Sequence, residues 1–292
     1  MDSLLNNLKR EFKQGTTLNK IIYINIGVFL LFSILGVFSF MLQFNIKPLL
    51  NKFYLPANIS ILIKQPWSFI SYMFLHSGFL HLLFNMVWLH FGGKLFLQYL
   101  SPKQLLSIYI LGGIVGGGLF VITYNYMPAF QQLTNGASAV GASASVLAIV
   151  IAIATYTPNY AVKFPFIGSL KLKQIAILMV ILDILSIPKG NSGGHIAHLG
   201  GALFGYLYIK QLQKGNDLSI NFSVFLKRFM NTFKIKSKLK KVHKRTKSDY
   251  EFNSEKASKQ KEIDKILEKI ANSGYESLSK EEKAILFSAS KK

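Results

Sequence analysis

Three short stretches place polar groups where apolar residues are expected. "GASAVGASAS" (136–145) carries Ser138, Ser143 and Ser145, "HSGFLHLLFNM" (76–86) carries His76, His81 and Asn85, and "HIAHLGGALFG" (195–205) carries His195 and His198. A serine and a histidine suffice for acyl transfer when the imidazole takes the hydroxyl proton. The reaction also needs donors aimed at the oxygen that becomes negative. His81 and Asn85 are spaced i and i+4, so they share one helix face, and both can donate. The first turn of a helix near Ser143 adds free backbone N–H groups and a positive dipole end. Nucleophile, base and oxyanion donors can therefore be named without an acidic third member.

The elements that must position these groups are membrane spans. The 292 residues are 50% hydrophobic and only 16% charged, against about 25% charged in an ordinary soluble domain. The deficit is confined to long runs, while the last eighty or so residues are densely charged. A crossing helix needs about 20 apolar residues. Six spans are expected, near 21–43, 77–98, 104–124, 140–157, 172–187 and 196–213. The expected fold is an all-α polytopic membrane bundle of six transmembrane helices with a small helical tail.

Lys and Arg are concentrated before the first span and after the last, which puts both termini in the cytoplasm. Spans two, four and six then run from outside to inside. His81, Ser143 and His198 fall at about the same depth on the outer side, which argues for one water-accessible site built from three helices. Ser138 is expected to cap the fourth span, with Ser143 one to two turns inside. Ser145 is turned about 200° from Ser143 on a helix, so the two cannot both face His198. Gly201 and Gly205 form a small-xxx-small face that lets spans four and six approach closely. His90 reads as structural and His195 as an outward-loop residue. Asp183, inside the fifth span, has no assigned role.

The domain reading is a cytoplasmic segment at 1–20, a membrane domain at 21–213, a basic amphipathic linker at 214–250 and a small helical domain at 251–292. The net charge of +21 is largely in the tail. On a membrane protein, anionic lipid is the expected partner of such charge and nucleic acid is not. Phe222, Phe225, Phe229 and Phe233 make a helical stripe suited to the inner leaflet. Ser279-Lys-Glu-Glu282 reads as a capping box opening a last helix. With no cysteine, thiolate nucleophiles and disulfides are excluded. His195-Ile-Ala-His198 has a spacing that could ligate zinc, but there is no HExxH, and no acid is expected in the same layer. No metal or cofactor is expected.

The ordered set of HSGFLHLLFNM, Gly141-Ala-Ser143-Ala and Ala197-His198-Leu-Gly-Gly201-Ala-Leu-Phe-Gly205 resembles the rhomboid family of intramembrane serine proteases, over about residues 20–213. The resemblance implies Ser143 as nucleophile and His198 as base, with His81, Asn85 and the Ser143 backbone N–H as the oxyanion hole. It implies transmembrane protein substrates cut near their outer end; the Lys-, Ile- and Asn-rich usage suits a bacterium, so a plasma membrane is expected. It also makes loop 45–66 a membrane-embedded first loop, and span five with segment 188–195 a substrate gate. The Trp-Arg pair often found in that loop is absent, since Ser68 follows Trp67, and Ala144 stands where a glycine often follows the nucleophile. Two rivals remain from other classes. One is a catalytically silent relative that binds membrane clients, and the other is a histidine-lined transporter, which should show the internal repeats that this sequence lacks.

Overall fold

The computed structural model describes residues 6, 12, 14–164, 168–232 and 248–289. Lys9, Arg10 and Lys13, which are among the basic residues ahead of the first span, and Phe233 of the aromatic stripe lie outside them. The chain forms two compact units, 1–234 and 235–292.

Each of the six apolar runs is a helix: α1 (Thr17–Met41), α2 (Phe79–Tyr99), α3 (Pro102–Tyr126), α4 (Ser143–Tyr156), α5 (Leu172–Ser186) and α6 (Ser192–Gln213). Among the described residues, α1, α2 and α3 are each long and apolar enough by themselves to cross a membrane. α4 has 14 residues and rises only about 21 Å at 1.5 Å per residue. Its place explains its length. Every residue from Ala144 to Ala154 is buried, so α4 is the centre of the bundle and has no lipid face of its own to match. α1 is the opposite case, presenting Leu30, Leu31, Ile34, Val37 and Phe38 outward. It is tied to the bundle by a buried polar contact, Asn25 Nδ2 donating to Tyr109 Oη at 3.0 Å. This is an all-α polytopic membrane bundle.

α3, α4 and α6 meet through small residues. A Cβ built on Gly201 would stand 2.1 Å from the Ala144 carbonyl oxygen, and one on Gly205 would stand 2.2 Å from that of Ala148. These distances are far inside van der Waals contact, so only glycine permits this helix spacing. The expected Gly201/Gly205 face is thus present, and α3 joins it through Gly112, whose Cβ would meet Ala148.

The segment between α1 and α2 is folded, with short helices at Lys47–Asn51, Ile59–Lys64 and Ser68–Ser71. Its strand β1 (Leu55–Pro56) pairs antiparallel with β2 (Ser138–Ala139), Leu55 opposite Ala139 and Pro56 opposite Ser138. Ser138 therefore does not cap α4 as expected. It is exposed in a strand, because pairing with the first loop holds this segment extended. Ala142 is the N-cap and Ser143 the first helical residue, so Ser143 lies at the helix mouth and not one to two turns inside. A second strand pair, the hairpin of β3 (Ala161–Phe164) with β4 (Gly168–Lys171), fills the connection between α4 and α5.

After α6, α7 (Leu218–Thr232) belongs to the first unit. Asp217 anchors it, accepting from Gln104 Nε2 at 3.0 Å, Tyr208 Oη at 3.0 Å and the Ser219 backbone N–H at 2.8 Å. The second unit holds α8 (Asp249–Ser273) and α9 (Lys280–Ala289). The expected capping box is formed: Ser279 N–H donates to Glu282 Oε2 at 2.7 Å, and Glu282 N–H to Ser279 Oγ at 3.2 Å. Ile266 of α8 and Leu278, just ahead of α9, are buried.

Candidate active site

The segment leading into α4 is set by its neighbours. The Gly141 N–H donates to the Tyr72 carbonyl at 2.9 Å, and Ala57 N–H to the Ala137 carbonyl at 3.0 Å. Gly141 has φ +129°, and a Cβ there would lie 2.8 Å from His81 Nε2. Only glycine adopts that backbone readily and leaves room for the imidazole. The turn delivers Ser143 at the start of α4, where backbone N–H groups lack intrahelical acceptors.

Ser143 Oγ is 2.6 Å from His198 Nε2. His198 stands about two turns into α6, on the face that carries Gly201 and Gly205. His81 is in the first turn of α2, with Nδ1 held 3.0 Å from Ser77 Oγ and Nε2 on the Gly141 side. Asn85 Nδ2 donates to the His81 carbonyl at 2.9 Å. Ser143, His198, His81 and Asn85 line one cleft of about 410 Å³. Its walls are Phe84 and Trp88 of α2, Val146 and Leu147 of α4, and Met179 and Leu182 of α5. The four candidate residues are therefore together.

Ser145 points elsewhere. It is buried against Gly113 of α3, as its position on the helix requires. His90 lies outside this cleft, beside Lys94 and Val162 in another. His76 packs edge-on against His81 with ring centroids 5.2 Å apart, and both its ring nitrogens are buried without a hydrogen-bond partner among the described residues.

Two expectations are overturned here. His195 is not in a loop but in the first turn of α6. An acid does lie in the site's layer: Asp183 Oδ1 is 2.8 Å from His198 Nδ1 and 2.8 Å from His195 Nδ1. The sequence offered a signal for this, since a carboxylate in an apolar span is costly and needs a partner. The partner was hidden because α5 and α6 are joined by a tight turn whose geometry sets which faces meet. Asn191 takes a left-handed conformation there, φ 51° and ψ 34°, and starts α6 early. The ligand-type atoms of Asp183, His195 and His198 lie within 4.8 Å of one another, so this trio could hold a metal ion. Both imidazoles already meet one oxygen of that carboxylate.

A membrane bundle of glycine-packed helices, with a serine at a helix mouth hydrogen-bonded to a histidine on a neighbouring helix, defines a class of intramembrane protein. A model described as the Rhomboid domain matches residues 63–214, more than half of the chain, which belongs to the rhomboid family. A second model, a family of unknown function (DUF6576), matches residues 246–292. The chain is 28% identical over 189 residues to RHOMBOID-like protein 12, mitochondrial, of Arabidopsis thaliana, covering 62% of this chain and 56% of that protein. It is 29% identical over 139 residues to Presenilin-associated rhomboid-like protein A, mitochondrial, of Danio rerio, covering 47% and 35%. It is 27% identical over 146 residues to Rhomboid protease GlpG of Yersinia pseudotuberculosis, covering 49% and 47%. The chain thus spans between 35% and 56% of the length of these relatives.

Proposed function

We propose that this rhomboid-family membrane protein is a serine endopeptidase that cleaves transmembrane protein substrates within the bilayer, near its outer side. The observation that carries this reading is the 2.6 Å contact between Ser143 Oγ and His198 Nε2, which is hydrogen-bond distance for a nucleophile and its base. Ser143 attacks the peptide carbonyl while His198 takes its proton, then returns that proton to the leaving amine. His81, Asn85 and the N–H groups at the mouth of α4 stabilise the oxyanion. A helical peptide shields its carbonyls, so substrates with helix-breaking segments should be cut faster.

The same proposal keeps both termini cytoplasmic in a bacterial plasma membrane. It divides the chain into a membrane domain over 21–213, a basic linker over 214–250 and a small helical domain over 251–292. Ile220, Val224 and Phe225 of α7 are exposed close to Lys227 and Arg228, a composition that suits anionic lipid.

The test uses the full chain in phospholipid vesicles with a tagged transmembrane substrate. Wild type should cleave it and label with a fluorophosphonate, and Ser143→Ala and His198→Ala should each lose about 1,000-fold or more. A wild type that binds the substrate but neither cleaves nor labels would leave the silent, client-binding reading in its place.

A further inference from the structure

α5 is an aliphatic helix. In its second half Ile181, Leu182, Ile184 and Leu185 are all exposed, Leu182 on the cleft, and Asp183 alone is buried. An ionised carboxylate in that setting is expensive unless it is hydrogen-bonded. Asp183 faces α6, where one oxygen meets the Nδ1 atoms of His195 and His198 at 2.8 Å each.

The chemistry of His198 fixes the meaning of the second contact. Its Nε2 faces the Ser143 hydroxyl, and to act as base that nitrogen must carry a lone pair. A neutral imidazole has one N–H and one lone pair, so the proton sits on Nδ1. Nδ1 is the nitrogen that meets Asp183, and a carboxylate can only accept.

We propose that Asp183 is a positioning residue that fixes the tautomer and ring orientation of His198 and so completes a Ser143–His198–Asp183 triad. This rests on the hydrolase reading above. As the bond from Ser143 Oγ to the peptide carbon forms, the hydroxyl proton moves to His198 Nε2, and the ring becomes an imidazolium with its Nδ1 proton still shared with Asp183. As the C–N bond breaks, the Nε2 proton passes to the amine. Water then adds to the acyl carbon, gives one proton to Nε2, and that proton returns to Ser143 as the C–O bond breaks. Asp183 is ionised throughout. His195 donates to the same oxygen and holds the carboxylate against α6. Because Asp183 comes from α5 and His198 from α6, the base is oriented only while these two helices are docked.

The test compares wild type, Asp183→Asn, Asp183→Glu and His195→Gln as full chains in vesicles. Proton NMR of nitrogen-15 histidine-labelled protein in nanodiscs accompanies the kinetics. Asp183→Asn is nearly isosteric, so folding is preserved while its amide can present a donor to Nδ1. We expect kcat to fall at least about 100-fold with KM little changed, as removal of a tautomer-fixing carboxylate does in soluble serine proteases. We expect the downfield Nδ1–H resonance of His198 to vanish, Asp183→Glu to recover part of both, and His195→Gln to stay at least about tenfold more active than Asp183→Asn. Cleavage by Asp183→Asn within threefold of an active wild type, or an unchanged His198 resonance, overturns the proposal. Equal losses in Asp183→Asn and His195→Gln with that resonance intact do the same, reducing Asp183 to a tie between helices. If wild type cleaves nothing while the resonance still depends on Asp183, the positioning stands and the hydrolase reading falls.

Discussion

The backbone of α4 passes so close to α6 that Gly201 rests on the Ala144 carbonyl, with only 2.1 Å available to any Cβ. The relationship sets the distance between the helices that carry Ser143 and His198. Gly201→Val therefore has to push α4 and α6 apart, since the obstacle is backbone and cannot rotate away. We expect a loss of about 3 kcal/mol or more in unfolding free energy, at or beyond the upper end of ordinary overpacking, together with loss of cleavage. Denaturant-induced unfolding in mixed micelles, alongside the substrate assay, measures both.

Gly141→Ala should separate stability from activity. Its φ of +129° disfavours a side chain, and the new methyl would meet His81. A left-handed position of this kind costs a non-glycine residue about 1–3 kcal/mol. The bundle should survive that, but His81 should be displaced from the mouth of α4. Activity is expected to drop about 10- to 100-fold with a melting temperature only a few degrees lower. An unchanged rate would remove His81 from the oxyanion site.

Tyr72, in the segment between α1 and α2, ties that segment to the bundle. Its hydroxyl donates to the Gly113 carbonyl at 2.6 Å, and its own carbonyl accepts from Gly141. Tyr72→Phe deletes the first bond and keeps the second. A loss of about 1 kcal/mol is expected, with a smaller effect on cleavage than Gly141→Ala. Thermal unfolding and initial rates of the two variants, side by side, test the order.

Asp217 makes the anchorage of α7 pH-dependent. Burial acts to raise its carboxyl, but hydrogen bonds from Ser219, Tyr208 and Gln104 outweigh this and hold it below the usual carboxylate range. Its folded-state value is depressed, so the stabilisation is present above the unfolded value and is lost as pH falls through the folded one. Wild type should lose thermal stability on acidification below about pH 4, and Asp217→Asn should lose less over the same interval. Melting curves between pH 3 and 7 for both proteins decide the matter; parallel curves would remove Asp217 from the acid response.

Much of this protein is determined by local sequence. Apolar runs of helical length fix the six helices, because burial or lipid satisfies their faces and intrahelical bonds satisfy their backbone. Helix period assigns Ser143 and Ser145 to different faces, and the residue types of Ser143, His198, His81 and Asn85 name a chemistry. The capping box at Ser279 is likewise local, closing within four residues. What the sequence left open is set by contacts between distant segments. Ser138 looks like a helix cap, but Pro56, far away in the chain, recruits it into a strand. His195 looks like a loop residue, but the left-handed turn at Asn191 starts α6 before it. Asp183 looks like an unexplained charge, and only the rotation of α5 against α6 brings it to the two imidazoles. Periodicity states which residues share a face of one helix. Which face meets which neighbour is decided by close packing, here by glycines that allow three backbones to touch.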